Sequence, residues 1–261
     1  MEKIKELMSG KIPPRVMRFV KQAGRGINRF GMISENDSII LGISGGKDSL
    51  ALALALALRK RWLPIDYRLH AVHIDWREYH LPETAKENLK EYFSLLEIPY
   101  TVVPAAMFPE SFNGQFNCYL CSRNRKRILF DLAAEWNFSK IALGHHLDDL
   151  VETTLINLCL RGSFTTMLPV QEFFKGKLEI IRPMCEVPET MVKNVTDFLE
   201  LPVQNIGCPY RDSNLRAKIK PLVREFSHID HKTREHIYKA FWKPKDDFGN
   251  LLSSINPRDK D

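Results

Sequence analysis

Ser38-Ile-Ile-Leu-Gly-Ile-Ser-Gly-Gly-Lys-Asp-Ser49 runs directly into Leu50-Ala-Leu-Ala-Leu-Ala-Leu-Ala-Leu58. The first stretch is a short apolar run closed by a glycine turn; the second is built from the strongest helix formers. A buried strand, a tight turn and the first turn of a helix are therefore expected in that order. Adjacent Gly45 and Gly46 let backbone N–H groups turn towards one point, and a helix N-terminus adds positive potential there. Ser44 and Ser49 add hydroxyls and Lys47 a full charge. This combination suits phosphate or pyrophosphate.

Three loops of this general kind differ in detail. A Walker A loop requires Ser or Thr after its lysine, whereas Lys47 is followed by Asp48, an acidic residue ill-placed against a triphosphate. Gly42-Ile-Ser-Gly-Gly46 matches the nucleophile elbow of serine hydrolases, but it would follow the first strand, and such sheets usually place several strands before the elbow. Ser-Gly-Gly-Lys-Asp-Ser resembles the pyrophosphate loop of the N-type ATP pyrophosphatases. Those enzymes cleave ATP between its α- and β-phosphates.

The chain of 261 residues can bury a full core, and its 44% hydrophobic and 27% charged content is that of a soluble globular protein. No apolar run reaches the length of a membrane span, so no membrane partner is expected. Met1-Glu-Lys-Ile-Lys-Glu6 lacks a secretory apolar region, which makes a cytoplasmic location the default. Charge is uneven. Residues 1–30 carry Lys3, Lys5, Lys11, Arg15, Arg18, Lys21, Arg25 and Arg29 against Glu2 and Glu6, which accounts for the whole net charge of +6. Arg15, Arg18, Lys21, Arg25 and Arg29 step by three and four, so they share one helical face. Either that face is simply solvated or it meets nucleic acid. A second cluster (Arg211, Arg216, Lys218, Lys220, Arg224) favours nucleic acid.

Along the chain, a helix is expected over residues 14–30, and strands near 39–43, 67–74, 100–103, 140–143 and 178–181 alternate with helices. That alternation reads as an α/β fold: a parallel sheet of about five strands with helices on both faces. Ligands bind such sheets at the strands' carboxyl ends, where Ser44 to Ser49, His73 to Asp75 and Gly144 to Asp149 all fall. Three regions are expected: an N-terminal basic helical segment over 1–37, the nucleotide domain over 38–204, and a basic helical appendage over 205–261.

Cysteines supply the second theme. Cys118-Tyr-Leu-Cys121 follows the third strand and a long loop, which disfavours a redox exchange motif at the first strand's end. Structural zinc would want a fourth ligand from a second such pair, and none exists. Cys208, in Gly207-Cys208-Pro209, occupies a loop position suited to a ligand, whereas Cys159 and Cys185 read as small apolar residues. Cys118, Cys121 and Cys208 suit a four-iron cluster with one open iron better than they suit zinc. Arg123, Arg125, Lys126 and Arg127 follow closely; they form an exposed basic turn or await an anionic partner.

With these pieces in place, residues 16–225 resemble the tRNA 2-thiocytidine synthetase family of the pyrophosphate-loop superfamily. The likeness is carried by Ile27-Asn-Arg-Phe-Gly-Met-Ile33, Ser44 to Ser49, and Cys118-x-x-Cys121-Ser-Arg-Asn-Arg-Lys-Arg-Ile-Leu129. Gly144-His-His-Leu-Asp-Asp149, Ile181-Arg-Pro-Met184, and Cys208 with Asn214-Leu215 complete it. One departure stands out: the family's C-terminal site often reads Cys-x-x-Cys, whereas this chain has Cys208-Pro-Tyr-Arg211, which suggests a divergent subgroup.

The resemblance implies an adenine nucleotide alpha hydrolase-like fold, a [4Fe-4S] cluster on Cys118, Cys121 and Cys208, and ATP with Mg²⁺. It also implies tRNA as partner, with an anticodon-loop cytidine as acceptor. A sulfur donor is expected, either a cysteine desulfurase or inorganic sulfide, and a homodimer is left open. In the expected reaction the cytidine 2-oxo group attacks the α-phosphate, and sulfur then displaces AMP. Ser44, Gly45, Gly46, Lys47 and Ser49 would hold pyrophosphate, with His73, Ile74 and Gly144 completing the nucleotide site. Asp48 and Asp149 are candidates for Mg²⁺ or for orienting the base, and Asp148 reads rather as a helix N-cap. Arg125 or Lys126 would stabilise charge at the α-phosphate. His145 either assists proton transfer or is a hydrogen-bonded structural histidine. The alternative within this class is ATP-dependent modification of another tRNA base or of a small molecule; the competing classes are a serine α/β-hydrolase using Ser44 and a non-catalytic RNA-binding protein with structural zinc.

Overall fold

The computed structural model describes residues 1–10, 12–108, 118–204 and 215–242, with only the backbone of Cys118. Two N-terminal helices, α1 (Glu2–Ser9) and α2 (Pro14–Arg29), lead into an alternation of strands and helices. The order is β1 (Asp37–Ile43), α3 (Lys47–Lys60), β2 (Tyr67–Trp76), α4 (Glu83–Leu95), β3 (Tyr100–Ala105), α5 (Cys118–Glu135), β4 (Lys140–Ala142) and α6 (Leu147–Arg161). Then come β5 (Val170–Phe173), β6 (Leu178–Ile181) and the helices α7 (Glu189–Leu199), α8 (Leu215–Ile229) and α9 (Thr233–Trp242).

The strands form one sheet in the order β3-β2-β1-β4-β6-β5, parallel except for β5, which pairs antiparallel with β6. The five strands expected from the apolar runs are present. The sixth, β5, escapes the alternation rule because it is an edge strand of four residues joined to β6 by a hairpin. Phe174, Lys175 and Gly176 all take positive φ in that hairpin, the twist a tight antiparallel turn demands.

Side chains alternate across the sheet and feed two apolar layers. Ile39, Leu41 and Ile43 of β1 join the alternating leucines and alanines of α3, the inner face of α2 (Val16, Phe19, Val20, Ala23, Ile27) and the α7 valines. Ile40, Val72, Ile141 and Ile180 face the other way and meet Leu129 and Ala133 of α5. Because β1 sits between β2 and β4 with α3 against one face, α3 is apolar on nearly every side. That explains a leucine-alanine repeat with no polar stripe.

The C-terminal helices α8 and α9 pack on α6 and on each other. No helix among the described residues is long and apolar enough to cross a membrane.

Candidate active site

Parallel register brings the carboxyl ends of β1, β2, β4 and β6 to one edge: Ile43 pairs with His73, and Ala142 with both Leu41 and Ile181. At the end of β1 the chain turns through Gly45 at φ +80°, a conformation L side chains avoid, and enters α3 at Lys47. The turn is braced from within. Ser49 Oγ donates to the Gly46 carbonyl at 2.9 Å and accepts the Ser44 N–H at 3.2 Å, and Gly46 N–H reaches Ser44 Oγ at 3.3 Å. Gln204 N–H holds the Gly45 carbonyl at 2.8 Å. The first-turn amides of α3, which have no intrahelical acceptor, remain available to an anion.

Gly144, at the end of β4, is fixed by close approach. A Cβ there would lie 2.9 Å from the carbonyl carbon and oxygen of Asp48 and 3.0 Å from the Ser49 nitrogen, all backbone. The β4 turn can approach the α3 N-terminus only as glycine. His73 at the end of β2 donates Nδ1–H to the Ile43 carbonyl at 3.0 Å, which leaves Nε2 as an acceptor. Burial lowers its pKa, so the ring is neutral.

Two adjoining cavities, of about 390 and 590 Å³, open above this edge. Ser44, Asp48, Ile74, Cys121 and Arg125 line both, so the glycine turn and the start of α5 face one shared space. Lys47 and His73 line the smaller cavity. Ser49, Lys126, Gly144, His145 and Asp149 line the larger. Arg125 lies over the Trp76 ring with its guanidinium carbon 5.9 Å from the centroid. The basic run after Cys121 is thereby divided: Arg125 and Lys126 are half-buried against the cavities, while Arg123 and Arg127 are exposed. Cys118 begins α5 one turn before Cys121. Cys208 lies outside the described residues, four positions beyond Gln204, a length of chain that spans at most about 14 Å.

Charge is organised around the carboxylates. Asp48 Oδ1 is 2.7 Å from Lys47 Nζ and 3.6 Å from His146 Nε2. His146 N–H donates to Asp149 Oδ2 at 3.0 Å, and Asp149 Oδ1 is 3.3 Å from Arg216 of α8. Buried His146 thus stands between Asp48 and Asp149, a position the sequence alone did not single out over His145. Asp148 caps a helix, but it is α7 rather than α6: its Oδ2 accepts the Glu189 N–H at 2.7 Å, and its Oδ1 pairs with Arg234 of α9 at 2.6 Å. Lys47 also pairs with Glu189 at 3.2 Å, and Glu189 with Lys220 at 2.7 Å. Burial opposes ionisation of Glu189, yet Lys220 and Lys47 outweigh it and hold the carboxyl at about 2. Burial, reinforced by the charges of Arg182 and Arg216, pushes the His145 pKa well down, so its imidazole is neutral.

Four residues of this edge lay beyond the sequence reading in their present roles: Glu189, His146, Glu152 and Arg182. A fifth, Arg216, was grouped with nucleic-acid contacts but pairs inward with Asp149 and Glu152. Ser44 Oγ has Ser49 Oγ and Gly46 N–H as its partners and, among the described residues, no imidazole, so it lacks the base a serine nucleophile requires. Among the described residues no group of three His, Cys, Asp or Glu side chains is arranged to hold a metal ion.

Comparison with known proteins agrees with this geometry. The family description of the PP-loop domain matches residues 16–205. The tRNA-cytidine(32) 2-sulfurtransferase of Burkholderia multivorans is 36% identical over 92% of this chain and 70% of its own length. The enzyme of the same name from Alkalilimnicola ehrlichii is 33% identical over 90% of this chain and 78% of its own. Among solved structures, the U34-tRNA thiolase NcsA from Methanococcus maripaludis with its [4Fe-4S] cluster superimposes with a TM-score of 0.72 at 21% identity. The match covers 94% of this chain and 83% of that one, and it bears on the fold.

Proposed function

Because the chain belongs to the PP-loop domain family and, within it, to the tRNA-cytidine(32) 2-sulfurtransferases, we propose that it thiolates a tRNA cytidine at C2 at the expense of ATP. The observation that carries this reading is the shared cavity wall: the glycine turn that would hold pyrophosphate and the cysteine helix that would deliver sulfur face each other across one space.

The 2-oxo group of cytidine leaves poorly, so its oxygen first attacks the α-phosphate and pyrophosphate departs. The α3 amides, Ser44, Ser49 and Lys47 receive that pyrophosphate. Lys47 starts out held by Asp48 and Glu189, and burial, which alone would lower its pKa, is outweighed by those two carboxylates. It therefore stays a full cation in a half-buried position. Arg125 and Lys126, reaching in from α5, balance charge at the α-phosphate. Asp48 and Asp149 are the carboxylates at hand to hold Mg²⁺, which would offset negative charge on the phosphates. His145, which burial and the Arg182 and Arg216 charges keep from taking up a proton, fits a structural role better than proton transfer. Hydrosulfide then adds at C2, AMP leaves with the original oxygen, and the sulfur-borne proton is lost as the C2=S bond forms; sulfur that arrives as a desulfurase persulfide first needs two electrons from an external thiol reductant.

The donor set fits a [4Fe-4S] cluster on Cys118, Cys121 and Cys208: the Cys121 thiol is on the cavity wall, Cys118 is one turn away, and the chain to Cys208 departs from Gln204, which is bonded to the glycine turn. Bound there, the cluster would supply an iron without a protein ligand, at which sulfur from a cysteine desulfurase or inorganic sulfide can be presented. Exposed apolar side chains on α6 (Leu158, Leu160) and α8 (Leu222, Phe226, Ile229), helices that pack together, support a homodimer.

The test is anaerobic. Protein purified and kept without oxygen should be brown, contain iron and sulfide, and convert cytidine to 2-thiocytidine in a tRNA transcript given ATP and sulfide. Cys121→Ala and Cys208→Ala should abolish thiolation while leaving ATP binding intact. Full activity in either variant would remove the cluster from the reaction.

A further inference from the structure

The seam between α2 and α7 carries positive charge that the fold leaves unanswered. Each helix buries one apolar stripe, α2 through Val16, Phe19 and Val20 and α7 through Val192, Val195 and Leu199, so their polar residues meet along an open cleft. A cavity of about 430 Å³ lies there, with Arg15 and Arg18 on the α2 side and Thr190 and Asn194 on the α7 side. All four residues are solvent-exposed, so a ligand in the cleft can reach them. Among the described residues neither arginine has a carboxylate partner, and no Asp or Glu lines the cavity. Arg15 is held instead by the Phe198 ring, its guanidinium carbon 4.9 Å from the centroid. An aromatic face positions a guanidinium without neutralising it. The Thr190 hydroxyl and the Asn194 amide on the opposite wall also have no hydrogen-bond partner among the described residues.

A second cavity, of about 370 Å³, continues the seam past Pro188 and Met191, which line both. There the cations are already paired, Arg29 with Glu186 at 2.7 Å and Lys239 with Glu235 at 2.9 Å. That contrast places an anion in the first cavity and not in the second. The first cavity is also close to the chemistry. Glu189 at the start of α7 pairs with Lys47, and Asn194 follows five residues later, about 7.5 Å along the helix axis. Yet none of the four residues lines either nucleotide cavity, so the cleft is a separate site.

We propose that this cleft seats one backbone phosphate of the tRNA while the acceptor base occupies the active site. The proposal rests on tRNA being the substrate and goes further by naming the seat and both of its walls. Phosphodiester oxygens only accept, and guanidiniums, a hydroxyl and a side-chain amide can all donate to them. The planar arginine fork matches phosphate geometry, and contacts of this kind fix where a nucleic acid lies without reading its sequence.

The experiment combines phosphate-ethylation interference on a tRNA transcript with fluorescence anisotropy at several salt concentrations, using the anaerobically purified full chain. Wild-type protein should reveal a phosphate whose ethylation blocks binding, and that phosphate should cease to matter once Arg15→Gln and Arg18→Gln are combined. This double variant should bind about 10- to 100-fold more weakly. Its slope of log affinity against log salt should fall by about one, because both arginines serve one phosphate. Thr190→Val combined with Asn194→Leu removes no charge, so binding should weaken about 2- to 10-fold at an unchanged slope. A merely diffuse basic surface would not respond to that pair. Melting and ATP affinity should stay at wild-type values in both variants. Full RNA affinity in either variant, or an interference pattern identical to wild type in the arginine variant, overturns the proposal. So does intact RNA affinity with thiolation lost only when a desulfurase is the donor, which would give the cleft to a protein partner. Wild-type protein that binds no tRNA removes the tRNA reading itself, an outcome distinct from variants that match a binding wild type.

Discussion

Glu152 of α6 is 2% exposed, and its ion-pair partner is Arg216, at 3.5 Å. Burial, aided by the negative charge of Asp149, raises its pKa to about 7 against 4.5 in the unfolded chain. The proton is held more tightly in the folded state, so this residue favours folding below pH 4.5 and loses that contribution as pH rises through 7. Glu152→Gln mimics the protonated form at every pH. Melting of the nucleotide-free variant should match wild type at pH 4 and exceed it by several degrees at pH 8, a difference on the order of 3 kcal/mol at most. Equal melting curves at pH 8 would mean that Arg216 fully compensates the buried charge.

Nothing in Val151-Glu152-Thr153-Thr154 marks that carboxylate in the sequence, since its environment is made by α8, more than sixty residues later. The pyrophosphate turn was legible because its chemistry is local: strand, glycines, hydroxyls and helix are consecutive. Arg182 lay between these cases. It follows an apolar strand directly, and the strand-end rule that selected His73 and Gly144 would have selected it too.

Among the elements, α8 departs furthest from its reading by charge. Arg216 and Lys220 belong to a basic cluster that suggested nucleic acid, yet both point back into the fold, towards Asp149, Glu152 and Glu189. Counting charges along a helix cannot show this, because the acidic partners sit on α6 and α7. The same blindness to distant partners hid β5, whose identity depends on pairing with β6 rather than on a long apolar run. By contrast α2 and α3 were readable, one from its apolar stripe and the other from its lack of a polar one. Lys220 has a further consequence. It shares the Glu189 carboxylate with Lys47, so Lys220→Ala would leave Glu189 to neutralise the pyrophosphate lysine alone. ATP affinity should fall roughly two- to fivefold, the scale of a part-exposed ion pair, and isothermal titration would register it. An unchanged or tighter affinity would show that Glu189 does not restrain Lys47.

At the scale of the whole molecule, the inward turn of Arg216 and Lys220 leaves the α2 face as the larger uncommitted basic surface read from the sequence, with Lys218 and Arg224 of α8 exposed beside it in the second cluster. Arg15, Arg18, Lys21, Arg25 and Arg29 are all exposed, and of these only Arg29 forms an ion pair among the described residues, with Glu186. A tRNA reaches the cavity with an anticodon loop but must be held elsewhere along its backbone, and phosphate contacts supply most of that affinity. If α2 makes them, tRNA binding by wild-type protein should weaken steeply with salt. Replacing Arg18, Lys21 and Arg25 together by alanine should lower the slope of log affinity against log salt by about 2 to 3, near one for each phosphate that is no longer neutralised. Replacing Arg216 and Lys220 should leave that slope unchanged while disturbing ATP binding, because their charge is spent inside the fold. A slope that follows α8 instead of α2 would mean that those ion pairs open when tRNA arrives, and that the C-terminal helices rather than α2 form the tRNA-binding face.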